Sequence, residues 1–469
     1  MRIATNVSAI VSNNALQKSQ DRLTKSIARL SSGYKINSSS DDAAGYAISE
    51  KMRLQLRGLN QADNNAADGV SVLHTAEGAM EEIQSMLARM KELSVQAANG
   101  TNSVDERSAI QSEIDSLNSE IDRISSNTEF NSQTLISGNL SRRVYSNYEG
   151  VNQIEVSDNF VAGNYGITIT QDARQAIVVG NGAVTMSDTA TVTKEQAGTI
   201  SMNGYGIEIS EGDTLAGIMG KLVDGADKIG GRVFAITAGA TNDTKVNGTD
   251  YAGYEPQTSY AGNNIVFMTK ESGSSKTMNI TCSNAELANM LGIATAATNS
   301  GMYAEGSDVQ AEFTLDNDGK RVGFADSAVI STSGTRVTVK DVNNRTFVTD
   351  VPSNVAGTQF SDTAKADDKS TATSTQTAKV TQEVTDVGTM SVHVGANENQ
   401  VILIDIPAVT SYTLGTENLN VMTSVTASEA IDTIDTAVAY ANRVRSQMGA
   451  YENRFEHTTN NLGTASENL

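Results

Sequence analysis

Residues that could catalyse a reaction or bind a metal are few and widely separated in this sequence. The three histidines, His74, His393 and His457, lie far apart, and none has a second ligand at helical spacing. Cys282 is the single cysteine and has no histidine nearby in the sequence to activate it. It follows a strand-like run, so we expect a packed small apolar residue there. These residues favour neither a metal centre nor nucleophilic catalysis.

One short segment, Asp316–Gly319, resembles the start of a calcium-binding loop. Its Asp-Asn-Asp-Gly sequence is not followed by the bidentate acid that such a loop requires, so we interpret it as a hairpin turn. The sequence contains neither the His-Glu-x-x-His motif of zinc proteases nor a Gly-x-x-x-x-Gly-Lys phosphate loop. We therefore predict a protein that is not an enzyme and that uses no cofactor.

Length and charge limit the possible architectures and partners. A chain of 469 residues exceeds the ~250 to 300 residues at which a single core stops growing, so several domains are expected. A net charge of -21 would repel phosphate backbones and anionic lipids, which argues against nucleic acid and membrane as partners. No run approaches the ~18 apolar residues of a spanning helix, and the N-terminus does not resemble a cleaved signal peptide.

The first candidate element is an amphipathic helix over about residues 9–34. Its apolar stripe comprises Leu16, Leu23, Ile27 and Leu30, which recur at heptad-like intervals between charged residues. Too little chain lies beside this stripe to bury it within a monomer. We therefore predict that these four residues mediate self-assembly by packing against neighbouring copies, as in a coiled coil.

Two further helices are predicted to form an antiparallel hairpin. Ser38–Asp42 offers N-cap residues, and apolar residues from Leu59 to Ala97 then recur every three or four positions. Asn99–Thr101 provides a turn with a left-handed stop at its glycine, and Ile110–Ile124 continues the helical period. Two long helices joined by so short a turn must run antiparallel.

After about Gly138 the composition and the period change to those of β-structure. Asn203-Gly204, Asn247-Gly248 and Asp318-Gly319 are tight-turn dipeptides between candidate strands. Short helices are predicted near residues 213–224 and 285–291, packed on sheets.

A helical period returns from Ser428 to the last residue, so helical ends bracket the β-rich region. The simplest way to bury both apolar stripes is to pack the ends against each other. The predicted fold class is therefore α+β and multidomain, with a long antiparallel α-helical bundle made from both termini and β-rich outer domains inserted between them.

Several motifs, in the same order along the chain, resemble those of bacterial flagellin, the subunit of the flagellar filament. The resemblance covers roughly residues 1–140 and 390–469. The motifs that carry it are Ile3–Ala9, Arg29–Ser49, Met90–Thr101, Gly395–Gln400 and Arg445–Ala450. Flagellins usually continue past the Glu-Asn-Leu motif with another amphipathic helix that pairs with the first, whereas the sequence given stops at that motif, at Leu469.

The resemblance implies four segments: 1–37 as a filament-core helix, 38–141 and 389–469 as the two parts of a helical spoke domain, and 142–388 as a β-rich variable outer region. The second spoke part would begin with a β-hairpin. It also implies an extracellular structural subunit for motility, exported without a cleaved signal peptide. Its partners would be other copies in a helical homopolymer, through an open heterologous contact, and the flagellar export and cap machinery.

The resemblance further implies a site for an animal receptor. Arg89, Leu93 and Glu113 match positions that flagellins present to the flagellin-sensing Toll-like receptor. From the sequence itself, Leu93 is expected to pack, and Arg89 and Glu113 to be solvated or to pair across the hairpin.

Two other functions remain open. A hook–filament junction protein shares these terminal patterns, although it usually matches the Asp41–Gly45 and Gly395 motifs less completely. Alternatively, the region around 142–390 is an adhesin or glycan-binding insert carried on the filament.

Overall fold

The computed structural model describes residues 6–157, 160–237, 260–293, 302–342, 345–353, 355–356, 359–360, 372–374 and 377–469. The chain divides into two compact units. The smaller unit contains Met1–Ser71, Ser391–Leu403 and Tyr451–Leu469, and the larger contains Val72–Met390 and Ile404–Ala450.

Helices occupy both ends of the chain, and strands fill most of the middle. The helices are α1 (Val7–Ser32), α2 (Ala43–Ala98), α3 (Val104–Asn127), α4 (Leu215–Lys228), α5 (Ala285–Met290), α6 (Ser411–Leu414) and α7 (Ser424–Asn468). The strands are β1 (Glu129–Phe130), β2 (Gln133–Thr134), β3 (Val144–Ser146), β4 (Asn152–Val156), β5 (Gly163–Gln171), β6 (Gln175–Val179), β7 (Gly198–Met202), β8 (Tyr205–Ile209), β9 (Gly231–Thr237), β10 (Asn263–Ser272), β11 (Thr277–Cys282), β12 (Met302–Glu305), β13 (Gln310–Phe313), β14 (Val329–Ser333), β15 (Arg336–Lys340), β16 (Thr346–Asp350), β17 (Gln359–Phe360), β18 (Ala372–Ser374), β19 (Ala378–Val384), β20 (Met390–His393) and β21 (Val401–Ile404).

The predicted helical hairpin is present as α2 and α3. The buried face of α2 follows the predicted three-and-four spacing, with Met80, Ile83, Leu87 and Met90 fully buried. A capping box at Ser103 starts α3, since its hydroxyl accepts from the Glu106 amide and the Glu106 carboxylate accepts from the Ser103 amide.

The C-terminal end of α2 differs from the prediction in one respect. The helix ends at Ala98 as expected, but Gly100 does not adopt a positive φ. Instead, the Arg107 guanidinium donates to the carbonyls of Ala97 and Asn99 at 2.9 and 3.0 Å. A side chain from the next helix therefore satisfies carbonyls that a left-handed glycine would otherwise have satisfied through the backbone.

Helix α7 runs antiparallel to α2, as predicted for the two ends of the chain. Within the larger unit, Arg445 pairs with Glu77 at 3.2 Å and Lys91 pairs with Asp435 at 2.5 Å. From the first pair to the second, the residue number increases in α2 and decreases in α7, so the two helices run in opposite directions. In the smaller unit, β20 and β21 form a hairpin whose turn is closed by a bond from Val394 N to Gln400 O at 2.8 Å.

Two β-rich modules lie in the larger unit. The first, here called the β module, contains the antiparallel sheets β13-β5-β19-β3 and β14-β15-β16-β4. Both sheets contribute to one hydrophobic core. Aromatic rings at its centre, including Tyr165, Phe324 and Phe347, make edge-on and tilted contacts with centroids 5.1 to 5.8 Å apart.

The second module, here called the α+β module, contains the sheets β6-β10-β9 and β12-β11-β7-β8 with α4 and α5, which confirms the two short helices. Asn203 and Gly204 form its β7–β8 turn with φ of 47° and 85°, so the predicted hairpin is confirmed. Asn247-Gly248 lies outside the described residues.

Candidate functional site

The side chains that the sequence offered as candidates for catalysis or metal binding have structural roles. Cys282 is half-buried against the core of the α+β module, and burial raises the pKa of its thiol. Asp316 closes a turn by accepting from the amides of Asp318 and Lys320 at 2.9 and 2.8 Å. Within the described ranges, no three His, Cys, Asp or Glu side chains are arranged to hold a metal ion. Across the same ranges, no helix is long and apolar enough to cross a membrane.

Helix α1 displays the predicted apolar stripe to solvent along its whole length. Leu16, Leu23, Ile27 and Leu30 are 57% to 86% exposed, and α1 contains no buried residue. Residues at its two ends cap the helix. The Asn6 side chain accepts from the Ala9 amide, and Gly33 adopts the left-handed conformation at the C-cap.

The connection from α1 to α2 is held by local polar contacts within the smaller unit. The Asn37 amide group donates to the Ala28 carbonyl at 3.1 Å, and Arg29 lies 3.7 Å from the Asp41 carboxylate. The Arg53 guanidinium lies 4.8 Å from the centre of the Tyr34 ring. Each of these contacts involves at least one residue of the segment Arg29–Ser49, which gives that motif a structural role.

Apolar residues near the start of α2 were missing from the predicted stripe. Ile48, Met52 and Leu54 are exposed in the smaller unit. The spacing of Ile48 and Met52, four residues apart, was the available signal, because positions i and i+4 share a helix face. Exposed apolar surface therefore extends beyond α1.

Arg89, Leu93 and Glu113 lie together where α2 faces α3. The Arg89 Nε and Nη2 atoms both donate to Glu113 Oε1, at 3.0 and 2.8 Å, and Nη1 donates to Glu92 at 3.2 Å. The bond to Glu113 is the main cause that raises the pKa of Arg89 above its ordinary value. Leu93 is only 2% exposed, so its side chain is packed inside the protein. The expected pairing across the hairpin and the expected packing of Leu93 are confirmed.

The sequence alone did not identify Glu92 as a second partner of Arg89, although its i,i+3 spacing was visible. It also gave no signal for Asp122, whose carboxylate accepts from the amide and hydroxyl of Ser411 at 2.8 and 2.7 Å. This contact joins α3 to α6 across 289 residues of sequence.

Antiparallel long helices from both ends of the chain, together with an inserted β-rich region and an exposed amphipathic helix, define an α+β multidomain protein. Residues 3–141 match the family described as the bacterial flagellin N-terminal helical region, and residues 431–469 match the bacterial flagellin C-terminal helical region. The chain is 30% identical to a flagellin of Escherichia coli (strain K12) over 473 aligned positions, covering 96% of this chain and 86% of that protein. This chain belongs to the bacterial flagellin family.

Other comparisons are partial or distant. Flagellin B of Vibrio anguillarum is 48% identical over 145 residues, which is 31% of this chain and 39% of that relative's length. The chain thus spans less than half of that relative. The solved structure of FliC from Burkholderia pseudomallei is 14% identical and covers 82% of this chain and 99% of its own, with a TM-score of 0.24.

Proposed function

We propose that this protein is a structural subunit that polymerises into the bacterial flagellar filament and serves motility outside the cell. The observation that carries the proposal is the solvent-exposed apolar stripe of α1, a helix with no buried residue, in a member of the flagellin family. Exposed apolar surface on this scale marks a contact with another molecule. An open heterologous contact between identical copies gives a helical filament. The role requires no cofactor and no catalysed reaction.

The similarity to E. coli flagellin along 96% of this chain supports a filament subunit over a hook–filament junction protein. We propose the same four-part organisation as the family pattern implies, with 1–37 in the filament core, 38–141 and 389–469 in the spoke, and 142–388 outermost. Its further partners are then the flagellar export and cap machinery.

Polymerisation of the purified protein, measured by sedimentation and electron microscopy, tests this proposal. We expect Leu23→Asp to abolish filaments, because an unpaired charge would be buried at the contact between copies. Asn14→Asp is the matched control, since nine residues at ~100° each place Asn14 on the opposite side of α1. Failure of the unsubstituted protein to polymerise, or normal filaments from Leu23→Asp, would contradict the proposal.

The polar cluster on α2 and α3 supports a second, host-directed interaction. We infer that Arg89 and Glu113 contact the flagellin-sensing Toll-like receptor of animals, with Leu93 fixing the helix face beneath them. Both charged side chains are about half exposed and hold each other in one geometry. We expect Arg89→Ala to weaken binding to the receptor ectodomain. Arg123→Ala removes a comparable exposed pair on α3 and should leave binding unchanged; equal effects of the two variants would contradict this role.

A further inference from the structure

Asparagine followed directly by glycine occurs four times in this sequence, at Asn99, Asn181, Asn203 and Asn247. An asparagine side chain loses its amide when the backbone nitrogen of the next residue attacks it, and glycine, which lacks a side chain, shields that nitrogen least. Asn247 lies outside the described residues. The other three asparagines lie in the larger unit, and the hydrogen bonds around them differ.

Two of the three described pairs are held by hydrogen bonds of the fold. The Asn203 side chain is fixed at both ends, since its nitrogen donates to the Thr277 carbonyl and its oxygen accepts from the Asn279 amide, both at 2.7 Å. In the second pair, the Gly182 amide donates to the Gly292 carbonyl at 3.2 Å. Attack of the glycine nitrogen on the asparagine side chain therefore requires that a hydrogen bond of the fold breaks first.

The third pair, Asn99 and Gly100, lies in the exposed turn between α2 and α3. Within the described part of the chain, the Gly100 amide donates no hydrogen bond. Over the same residues, the Asn99 side chain makes a single hydrogen bond, in which Oδ1 accepts from the Thr101 amide at 3.3 Å. The attacking nitrogen and the side-chain amide group that would leave are therefore not held by the fold.

The hydrogen bonds that this turn does make polarise the reacting atoms. The Thr101 amide, by donating to Asn99 Oδ1, draws electron density from Cγ and stabilises negative charge that develops on that oxygen. The Asn99 backbone carbonyl accepts from Arg107 Nη2 at 3.0 Å and from the Asn102 amide at 3.3 Å. Because this carbonyl and the Gly100 N–H belong to one peptide unit, both bonds make the N–H a stronger acid.

We propose that Asn99 is a site of spontaneous deamidation in the folded protein. Hydroxide removes the Gly100 amide proton, and the nitrogen attacks Asn99 Cγ to close a five-membered succinimide. The bond from Cγ to Nδ2 breaks, and ammonia leaves after taking a proton from water, which regenerates hydroxide. One water molecule then opens the succinimide to aspartate or isoaspartate. This modification needs no enzyme or cofactor, and it is independent of filament assembly.

Deamidation acts on the contact that ends α2. In the unmodified protein, the Arg107 guanidinium accepts this role by donating to the carbonyls of Ala97 and Asn99. The product adds a negative charge at the C-terminal end of α2, where the helix dipole disfavours it, and the new carboxylate competes with these carbonyls for Arg107. Isoaspartate also lengthens the backbone by a methylene group, which displaces the Asn99 carbonyl.

The test incubates the full-length protein at slightly alkaline pH, both in its native state and in guanidinium chloride. Peptide mass spectrometry measures the fraction of acid at each Asn-Gly pair over time. In the denatured protein, we expect Asn99 and Asn203 to react at similar rates. In the native protein, Asn99 should keep or exceed that rate, whereas Asn203 should slow by at least about tenfold because its hydrogen bonds must break. Comparable slowing of both residues on folding overturns the proposal.

Gly100→Ala is the matched variant. Gly100 does not have a positive φ, and no atom of a non-adjacent residue lies within 4 Å of an added β-carbon, so alanine fits the turn. The added methyl group shields the attacking nitrogen, and we expect the native rate at Asn99 to fall by at least about fivefold while Asn203 keeps its rate. Circular dichroism checks the fold of the variant. An unchanged rate at Asn99 overturns the proposal, because the acid then forms without attack by the Gly100 nitrogen. If the variant does not fold, the comparison of native and denatured protein decides.

Discussion

Gly69 of α2 lies directly against the ring of Phe455 of α7: a β-carbon on Gly69 would be 2.9 Å from Phe455 Cζ. Phe455 is fully buried in the smaller unit. A glycine inside a helix costs roughly 0.5–1 kcal/mol relative to alanine, so its presence needs a compensating contact. The close approach of the aromatic ring to the α2 backbone supplies that contact.

Alanine at two glycines of α2 should therefore have opposite effects. We expect Gly69→Ala to destabilise the protein by about 1–3 kcal/mol, since the buried ring must move. Gly78→Ala should stabilise it by roughly 0.5–1 kcal/mol, because nothing lies within 4 Å of its added β-carbon. Urea unfolding followed by helical circular dichroism measures both, and effects of the same sign would contradict the packing at Gly69.

The helical hairpin offers a test of its buried faces. Leu87 and Ile114 are fully buried on α2 and α3, and an aspartate at either position would bury an unpaired charge. We expect Leu87→Asp or Ile114→Asp to cost several kcal/mol of unfolding free energy and to lower Tm and helical signal. Ser85→Asp, at an exposed position of α2, is the control. An unchanged Tm in either core variant would show that these faces are not buried.

The ion pair between Glu155 of β4 and Arg443 of α7 joins the β module to a terminal helix. The atoms lie 2.7 Å apart, with Glu155 9% and Arg443 39% exposed. We expect Arg443→Met to cost about 1–3 kcal/mol, below the range for fully buried pairs because Arg443 is partly solvated. Arg89→Met, in the exposed pair with Glu113, should cost less than Arg443→Met, because solvent screens this pair. A double-mutant cycle with Glu155→Gln measures the coupling energy between the two side chains. A coupling energy near zero would contradict a stabilising role for this ion pair.

Asp213, just before α4, should make the stability of the α+β module depend on pH. Its carboxylate accepts from Lys221 Nζ at 2.6 Å, and this bond is the main cause that lowers its pKa. The pair's contribution is then complete above the unfolded pKa of ~3.9 and is lost as pH falls through the lower folded value. We expect Asp213→Asn to reduce hydrogen-exchange protection of α4 at pH 7. The difference from the unsubstituted protein should shrink as the pH falls below ~3.9. Asp224→Asn, exposed on α4, is the control; a difference that persists at low pH would contradict this assignment.

The exposure of α1 predicts a pattern of proteolysis in the monomer. A 26-residue helix without buried residues is marginal in water, because burial provides most helical stability in proteins. We expect limited trypsin digestion to remove the chain up to about Gly33 quickly, while α2 resists. Mass spectrometry of the fragments measures this. Protection of Lys18 and Lys25 in a verified monomer would mean that α1 packs on the rest of the chain.

Local patterns in the sequence were sufficient to predict the helical ends. The three-and-four spacing of Met80, Ile83, Leu87 and Met90 specifies a buried helix face without reference to any other segment, because the helical period is a local property. The same reasoning predicted the stripe of α1. It missed Ile48 and Met52, whose short run of apolar residues gave a weak signal beside many alanines.

Tertiary structure alone decided which distant residues meet. Nothing local indicates that β7 pairs with β11 as well as with β8, or that Glu155 meets Arg443. Alternation in a strand shows which side chains share a face but leaves the neighbouring strand unspecified. The sequence by itself thus determined the helices, their caps and the family pattern, since these depend on spacing within a few turns. The sheet order and the ion pair depend on contacts between residues about 80 to 290 positions apart, which only the packed chain brings together.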